Sequence, residues 1–578
     1  MILIPVRESG ASLRLIEGSL MVIAVVTAFC LPTLGSRYFS RVEQAFGKLA
    51  RRQGLAVAVV GLTAFTLRLA MLPLCPIPGP FVPDDFSFLL AGNTFALGRL
   101  TNPTPAMWTH FESIHISMQP TYMSMYFPAQ GLILAAAKVL TGHAWFGLLC
   151  ITALMCAAIC WMLQAWLPPS WALLGGMLAV LRLGLFSYWI NTYAGAGSIA
   201  ALAGALVLGA FPRLIRTARL RYSLLLGVGA AVLALNRPYE GILLCLPVTA
   251  ILLRWLFFGR NRPPAAARFR IAAAPLALIV AAGMWMGYYD KRVFGNPLTP
   301  PYALNRAAYS VAPYWVWQSA RSEPVYRHKV MRDFYIGFEL PYLKIMHRLP
   351  FLLAPLVFKP VVAIWFYAGI ALAAPLLMLR RALLDRRIRT LVLCGLVWGV
   401  GIFIEMFLVP HYLAPFTAAI YAIGLQCMRH LRVWKAGGQP AGMQFVRMTV
   451  TICVVLAVLR CFADPLHITY AQWPGIGWNW QWSGPGQYGA ARARVEAQLE
   501  KLPGRQLAIV RYTPGHYLVD EWVYNDPDID SSKVIWAREM DAADNEELIH
   551  YYKDRKVWLL QPDERPAVVT PYASSEQK

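Results

Sequence analysis

The chain has 578 residues, 58% of them hydrophobic and only 14% charged, with a mean hydropathy of +0.48. Soluble domains carry about a quarter charged residues, so that class is excluded and a polytopic membrane protein is implied. The net charge of +23 is uneven: Asp464 onward holds 17 acids and 12 bases, and the preceding part 13 acids against 41 bases. These bases lie in short loops between apolar runs, as cytoplasmic loops and lipid-phosphate contacts require, and no nucleic-acid partner is expected.

Apolar runs predict about twelve transmembrane helices. They cover residues 15–35, 54–75, 144–167, 170–189, 193–211, 222–235, 241–258, 271–289, 351–379, 391–409, 414–427 and 443–461. Five loops are basic (37–52, 213–221, 260–270, 380–389 and 429–435), and alternation of the spans puts all five on one side, the cytoplasm. The opposite face receives 76–143, 236–240, 290–350, 411–413 and the C-terminal tail. The first run lacks a basic n-region and a cleavage site, so it reads as a retained helix. The expected organisation is an extra helix and basic loop (1–53), a transmembrane module (54–463) with outer segments 76–143 and 290–350, and an outer-facing α/β domain (464–578).

In the first outer loop, "PFVPDDFSFLL" sets Asp84 and Asp85 side by side in a half of the chain nearly free of acid. Phe81, Phe86, Leu89, Leu90 and Phe95 then recur with mixed helical spacing, predicting a short amphipathic helix on the membrane surface. One aspartate suffices to cap it, a contribution on the order of 1 kcal/mol. The second points to a site. Further on, His110, Glu112 and His115 offer either a metal set of non-standard spacing or, preferred here, hydrogen bonds to an acceptor or sugar. Tyr122 and Tyr126 are candidate sugar contacts, and residues 131–140 read as a second surface helix too short to span.

"NRPYEG" places Arg237, Tyr239 and Glu240 at an outer turn. Arginine suits bidentate phosphate contact and Glu240 would orient it, although an interfacial Arg–Glu pair capping two helices explains the same residues. Lys291 and Arg292, followed by "GNPLTPPY" and the aromatics Tyr309, Tyr314, Trp315 and Trp317, add phosphate contacts and a sugar-stacking wall or else an interfacial aromatic belt. Arg68, Arg182 and Glu405 fall inside spans. Glu405 is placed to line a cavity near His411, while the two arginines either face a partner or snorkel.

After the tryptophan-rich "WPGIGWNWQW" (473–482), expected at the interface, residues 492–502 and "NEELIHYY" read as helices and "LAIVRY", "KVIWARE" and "KVWLL" as strands. "NDPDIDSS" (525–532) lacks the glycine and distal glutamate of a calcium loop and reads as a turn. The ten cysteines show no zinc spacing. Cys75 and Cys461 are placed to pair, with free buried thiols the preferred reading.

"LRLAMLPL" closing a helix, the Pro-Asp-acidic-Phe opening of the outer loop, an aromatic-Pro turn before an apolar helix, and "PHYLAP" (410–415) together resemble the polyprenyl-phosphate-sugar-dependent glycosyltransferases of the C superfamily. The resemblance is to the family 39 and 83 enzymes, protein O-mannosyltransferases and lipid A aminoarabinose transferases, and it covers about residues 54–427. It implies that Asp84 is the catalytic base, with Asp85 where the family usually has glutamate. The family's Arg-Tyr-Leu-x-Pro element matches His411, Tyr412, Leu413 and Pro415, with histidine replacing the arginine that would contact donor phosphate. The second outer loop, "SYWINTYAGAG" (187–197), lacks the acid often found there, and the first span is an addition.

The expected reaction moves a sugar from a polyprenyl-phosphate donor to an acceptor on the periplasmic face of the inner membrane, by inverting single displacement with an Asp base. The residues assign no cofactor, and a divalent ion beside Asp85 is left open. A polysaccharide ligase or polymerase with a diphosphate-linked donor stays open as an alternative, as does a secondary transporter, against which the lack of an internal repeat speaks.

Overall fold

The computed structural model describes residues 11–346, 354–463, 465–469 and 489–572. The tryptophan-rich stretch 473–482 and the first residues of the predicted span 351–379 lie outside them.

In chain order the main helices are α1 (Leu13–Cys30), α2 (Ser36–Arg51), α3 (Gln53–Ala70), α4 (Pro83–Ala96), α5 (Pro128–Thr141), α6 (Trp145–Leu163), α7 (Pro169–Ala179), α8 (Gly197–Thr217), α9 (Leu220–Ala234), α10 (Pro238–Phe258), α11 (Ala265–Phe294) and α12 (Pro301–Tyr309). They continue with α13 (Ala354–Tyr367), α14 (Arg389–Ile404), α15 (Thr417–Arg432) and α16 (Ala441–Cys461). Among the described residues seven helices, α1, α3, α6, α8, α10, α11 and α16, are long and apolar enough to cross a membrane. An eighth candidate is a pair, Phe358–Tyr367 and Gly369–Leu383, bent by 113°.

The predicted spans at 170–189, 222–235, 391–409 and 414–427 are shorter helices. At 1.5 Å per residue, the 15 or 16 residues of α9, α14 and α15 reach about 23 Å, less than a hydrocarbon core of about 30 Å. The surfaces of α1 and α11 carry exposed Val22, Ile23, Phe29, Phe269, Leu276 and Met284, a belt of apolar side chains that fits a membrane protein.

The bend exposes backbone groups that a bilayer cannot satisfy, and charged side chains meet them. Glu17 on α1 accepts the Ala371 N–H at 2.9 Å. Arg182, in the π-helical turn Val180–Gly184 after α7, donates to the carbonyls of Phe366 (3.0 Å) and Trp365 (2.5 Å). Arg68 on α3 is fully buried, donating to the Cys75 carbonyl and to Asn191 Oδ1, each at 3.0 Å. Neither arginine snorkels, because each has a buried carbonyl to serve. All ten cysteines are free thiols.

Residues 490–571 form a four-stranded sheet with α17 (Ala490–Lys501) and α18 (Ala542–Tyr551). Its strands are β1 (Arg505–Val510), β2 (Val534–Arg538), β3 (Arg555–Gln561) and β4 (Val568–Pro571), ordered β2-β1-β3-β4. β1 pairs in parallel with β2 (Gln506 opposite Val534) and with β3 (Arg505 opposite Arg555), and β4 closes antiparallel on β3. One face of this sheet shares a core with the loop that carries α4: Phe86, Leu90, Phe111, Ile116 and Tyr122 pack with Leu507, Ile509, Ile535 and Leu548. Each such side chain contributes about 1.5–3 kcal/mol of transfer free energy. Consequently α4 is enclosed between the sheet and α5, where the sequence suggested an amphipathic helix on a membrane surface. Asp526 and Asp528 of the "NDPDIDSS" turn bind Asn93 (2.9 Å) and Arg99 (2.5 Å).

Candidate active site

The two aspartates diverge at the N-terminus of α4. Pro83 occupies the first turn and Val82 before it is extended (φ −90°, ψ 156°), so the residue at the third helical position reaches back over free amides. That residue is Asp85. Its Oδ2 accepts the N–H of Phe81 (3.0 Å) and Val82 (3.2 Å), and its Oδ1 accepts the N–H of Tyr193 (2.8 Å). Burial pushes the Asp85 carboxyl up to about 7, against the lowering effect of these amides. Asp85 was expected as half of a reactive or ion-binding pair; with both oxygens occupied by backbone, it is the cap and a clasp onto another loop.

Asp84 points elsewhere. Its Oδ1 accepts the Tyr126 hydroxyl, its Oδ2 lies 3.5 Å from His115 Nδ1, and Tyr126 Oη stands 3.1 Å from the same nitrogen. Burial raises the Asp84 carboxyl, but the charge and hydrogen bonds of His115 and Tyr126 outweigh it and hold the group below the usual carboxylate range. The His115 backbone is left-handed (φ 65°), and its carbonyl accepts Ser87 Oγ at 2.7 Å and the Met125 N–H at 3.2 Å. Tyr126 is fixed by stacking on Phe88, with centroids 4.3 Å apart.

A second group comes from the turns before α10 and α15. Arg237 is buried, pairs with Glu240 at 2.9 Å, donates to the Gly195 carbonyl at 3.2 Å, and lies 4.6 Å from the Tyr412 ring centre. Its Nε has no partner among the described residues. The turn Pro410–Phe416 is pressed onto α8 at Gly204, where a Cβ would collide with the Pro415 carbonyl. Within it His411 accepts the Tyr188 hydroxyl on Nδ1 at 2.6 Å and donates its backbone N–H to the same oxygen at 3.1 Å. Burial and the neighbouring Arg237 push the His411 imidazole well below its ordinary value; a neutral ring engaged by Tyr188 is a structural part of the turn, and the donor-phosphate role expected by analogy with arginine is not what this geometry favours.

Tyr302, on α12, joins the groups. Its ring lies edge-on to Tyr126 at 5.3 Å and beside Phe127 at 5.6 Å, and its hydroxyl feels the charges of both Arg237 and Asp84. A carboxylate and a guanidinium thus lie within electrostatic reach of one tyrosine.

Other predicted site residues lie apart. His110 bonds through its ring to the carbonyls of Arg538 (3.1 Å) and Asp544 (3.2 Å), and Tyr122 donates to the Asn525 carbonyl at 2.7 Å. Both are anchors to the C-terminal sheet, because that sheet covers the loop they sit on. Glu112 meets Tyr309 (2.8 Å), Arg327 (3.3 Å) and His328 (3.5 Å), away from Asp84. Tyr239 donates to the Gly401 carbonyl at 2.8 Å. Lys291 and Arg292 are exposed in the last turn of α11, where they complement the helix dipole. Glu405 is half-buried, and its Oε2 is enclosed with no hydrogen-bond partner among the described residues. His110, Glu112 and His115 thus face three different sets of partners, and among the described residues no group of three or more His, Cys, Asp or Glu is placed to hold a metal ion.

The sequence reading passed over Tyr188 and Gly195 and carried Tyr302 only within "GNPLTPPY". Gly195 has a readable signal in "YAGAG": the position is left-handed (φ +88°), and a Cβ there would stand 2.5 Å from His411 Nδ1.

No protein-family model and no curated protein matches the chain. Similar solved structures include ArnT from Cupriavidus metallidurans bound to undecaprenyl phosphate, at 13% identity and TM-score 0.47, covering 87% of this chain and 92% of that one. The Archaeoglobus fulgidus oligosaccharyltransferase, at 11% identity and TM-score 0.46, covers 88% of this chain and 67% of that one. Both belong to the C superfamily of glycosyltransferases.

Proposed function

We propose that this protein transfers a sugar from a polyprenyl-phosphate donor to an acceptor at the outer, periplasmic face of the inner membrane, with residues 490–571 on that outer face. The observation that carries the reading is the division of labour at α4: Asp85 alone supplies the cap, and Asp84 is left facing Tyr126 and His115.

The donor already carries a good leaving group, so the protein has to deprotonate the acceptor and receive the departing phosphate. Asp84 takes the acceptor proton as the acceptor oxygen bonds to the anomeric carbon from the face opposite the phosphate. The bond from that carbon to the phosphate oxygen breaks, and the configuration inverts. Tyr126 and His115 hold Asp84 in one orientation. Arg237 receives the phosphate charge with the Nε hydrogen that Glu240 and Gly195 leave unused.

Purified full-length protein is incubated with a panel of radiolabelled polyprenyl-phosphate sugars and compared with Asp84→Asn. Loss of a general base lowers transfer by about 10²–10⁴-fold. Transfer that survives Asp84→Asn refutes the assignment, and saturable solute uptake by proteoliposomes without lipid-linked sugar replaces the reading with transport.

A further inference from the structure

The two halves of the site are joined by five residues that carry no charge, 192–196, between the short helix Tyr188–Asn191 and α8. Its ends continue into the flanking helices, and at Tyr193, Gly195 and Ala196 side chains from other elements hold its backbone. Asp85 accepts the Tyr193 N–H at 2.8 Å, and Gln130 on α5 donates to the Tyr193 carbonyl. Arg237 donates to the Gly195 carbonyl and Asn236 to the Ala196 carbonyl, each at 3.2 Å. Tyr193, Ala194 and Ala196 are buried, so no water competes for these groups. At Gly195 the strap passes so close to His411 that only a hydrogen fits.

The geometry points to Asp85 as a positioning residue, which through the strap 192–196 sets where the Arg237 guanidinium stands relative to Asp84. The inference rests on Arg237 being the arginine that meets donor phosphate. One carboxylate grips the start of α4 from one oxygen and the strap from the other. Two residues further along, the strap takes a hydrogen bond from Arg237, so a shift at Asp85 is delivered to that guanidinium through about three peptide units. Asn at position 85 cannot reproduce this. It has one acceptor oxygen for donors on two sides, and its NH2 group would face an N–H, so either the cap or the strap is released. Ala at position 195 disturbs the same path from its other end, by forcing a left-handed backbone and displacing His411.

The test uses the full chain in detergent and a radiolabelled polyprenyl monophosphate carrying no sugar, so that binding is read without turnover. Asp85→Asn and Gly195→Ala are expected to weaken binding by about tenfold or more. In parallel, hydrogen exchange followed by mass spectrometry reads the peptide containing Tyr193, which is protected in the parent and exchanges faster in Asp85→Asn. Parent-like binding by Asp85→Asn, or unchanged exchange at Tyr193, overturns the positioning role. A parent that does not bind the lipid phosphate overturns the proposed reaction instead, and the strap is then decided by exchange alone. A positioning role also predicts that Asp85→Asn raises the KM for donor more than it lowers kcat, the reverse of Asp84→Asn.

Discussion

Glu521 ties the C-terminal sheet to the loop that presents Asp84. Its Oε2 accepts Arg538 at 2.6 Å and Ser113 Oγ at 3.1 Å; its Oε1 accepts the Tyr512 hydroxyl and the Val523 N–H, each at 2.9 Å; and its own N–H donates to the Phe81 carbonyl at 3.2 Å. The Glu521 and Arg538 side chains are 2% and 3% exposed. Glu521→Ala leaves a buried guanidinium unpaired, which costs about 3–5 kcal/mol. At about 1.4 kcal/mol per decade, the opening equilibrium of this region rises by about two to three and a half orders of magnitude. The assay is limited trypsin digestion in detergent, following cleavage within residues 505–561 alongside transfer activity. Cleavage accelerates in Glu521→Ala, transfer falls with it because Phe81 and the cap of α4 loosen, and the double variant Glu521→Ala/Arg538→Met recovers part of the loss. Parent-like cleavage in Glu521→Ala refutes the bracing role, as does a double variant at least as labile as the single one. Burial raises the Glu521 carboxyl, but Arg538 and the hydrogen bonds lower it further, so its folded value lies below 4.5. The stabilisation is therefore fully present above pH 4.5 and is lost as pH falls through the depressed folded value; cleavage rates at pH 5.5 and pH 7.5 should differ little on its account.

Three further outcomes follow from the site. Asp84 is held below the usual carboxylate range and stays ionised above about pH 4, so a transfer-rate profile between pH 6 and pH 8 shows no limb from this group, and a limb removed by Asp84→Asn would contradict the assignment. Arg237→Lys keeps a positive charge but loses the planar fork that serves Glu240, Gly195 and the free Nε together, and donor affinity measured with polyprenyl phosphate drops about tenfold or more. His411→Arg, which restores the residue of the related motif, does not raise transfer: Gly195 leaves only a hydrogen's width beside the imidazole, and the variant lowers the melting temperature in detergent.

Much of the helical organisation was legible because spans announce themselves by length and apolarity, and α4 and α5 were readable from a Pro-Asp-Asp start and an aromatic-Pro turn. The distinction between Asp84 and Asp85 was harder. Its signal was the spacing from Val82 to Asp85, the separation at which a side chain reaches the free amides before a helix. Arg237 and Glu240 were readable as an i,i+3 pair. The partners of His110, Glu112 and Tyr122 were not readable for a different reason. His110 and Tyr122 find partners more than 400 residues further along the chain, and Glu112 finds Tyr309 and Arg327 about 200 residues on, and no local pattern encodes a sheet folding back over a loop. The four short helices show the limit of hydropathy, which reports apolar runs but not where a turn begins.

The sheet packed over the loop that carries α4 also dictates an order of events during synthesis. His110 and its partner Arg538 are 428 residues apart, so at about 5–20 residues per second the loop waits roughly 20–90 s for the strands that cover it. Through that interval Phe86, Leu90 and Phe111 lack the sheet residues they pack against, and the Phe81 carbonyl lacks the Glu521 N–H. The core that encloses α4 is thus completed only when the late-made strands have folded back over the loop.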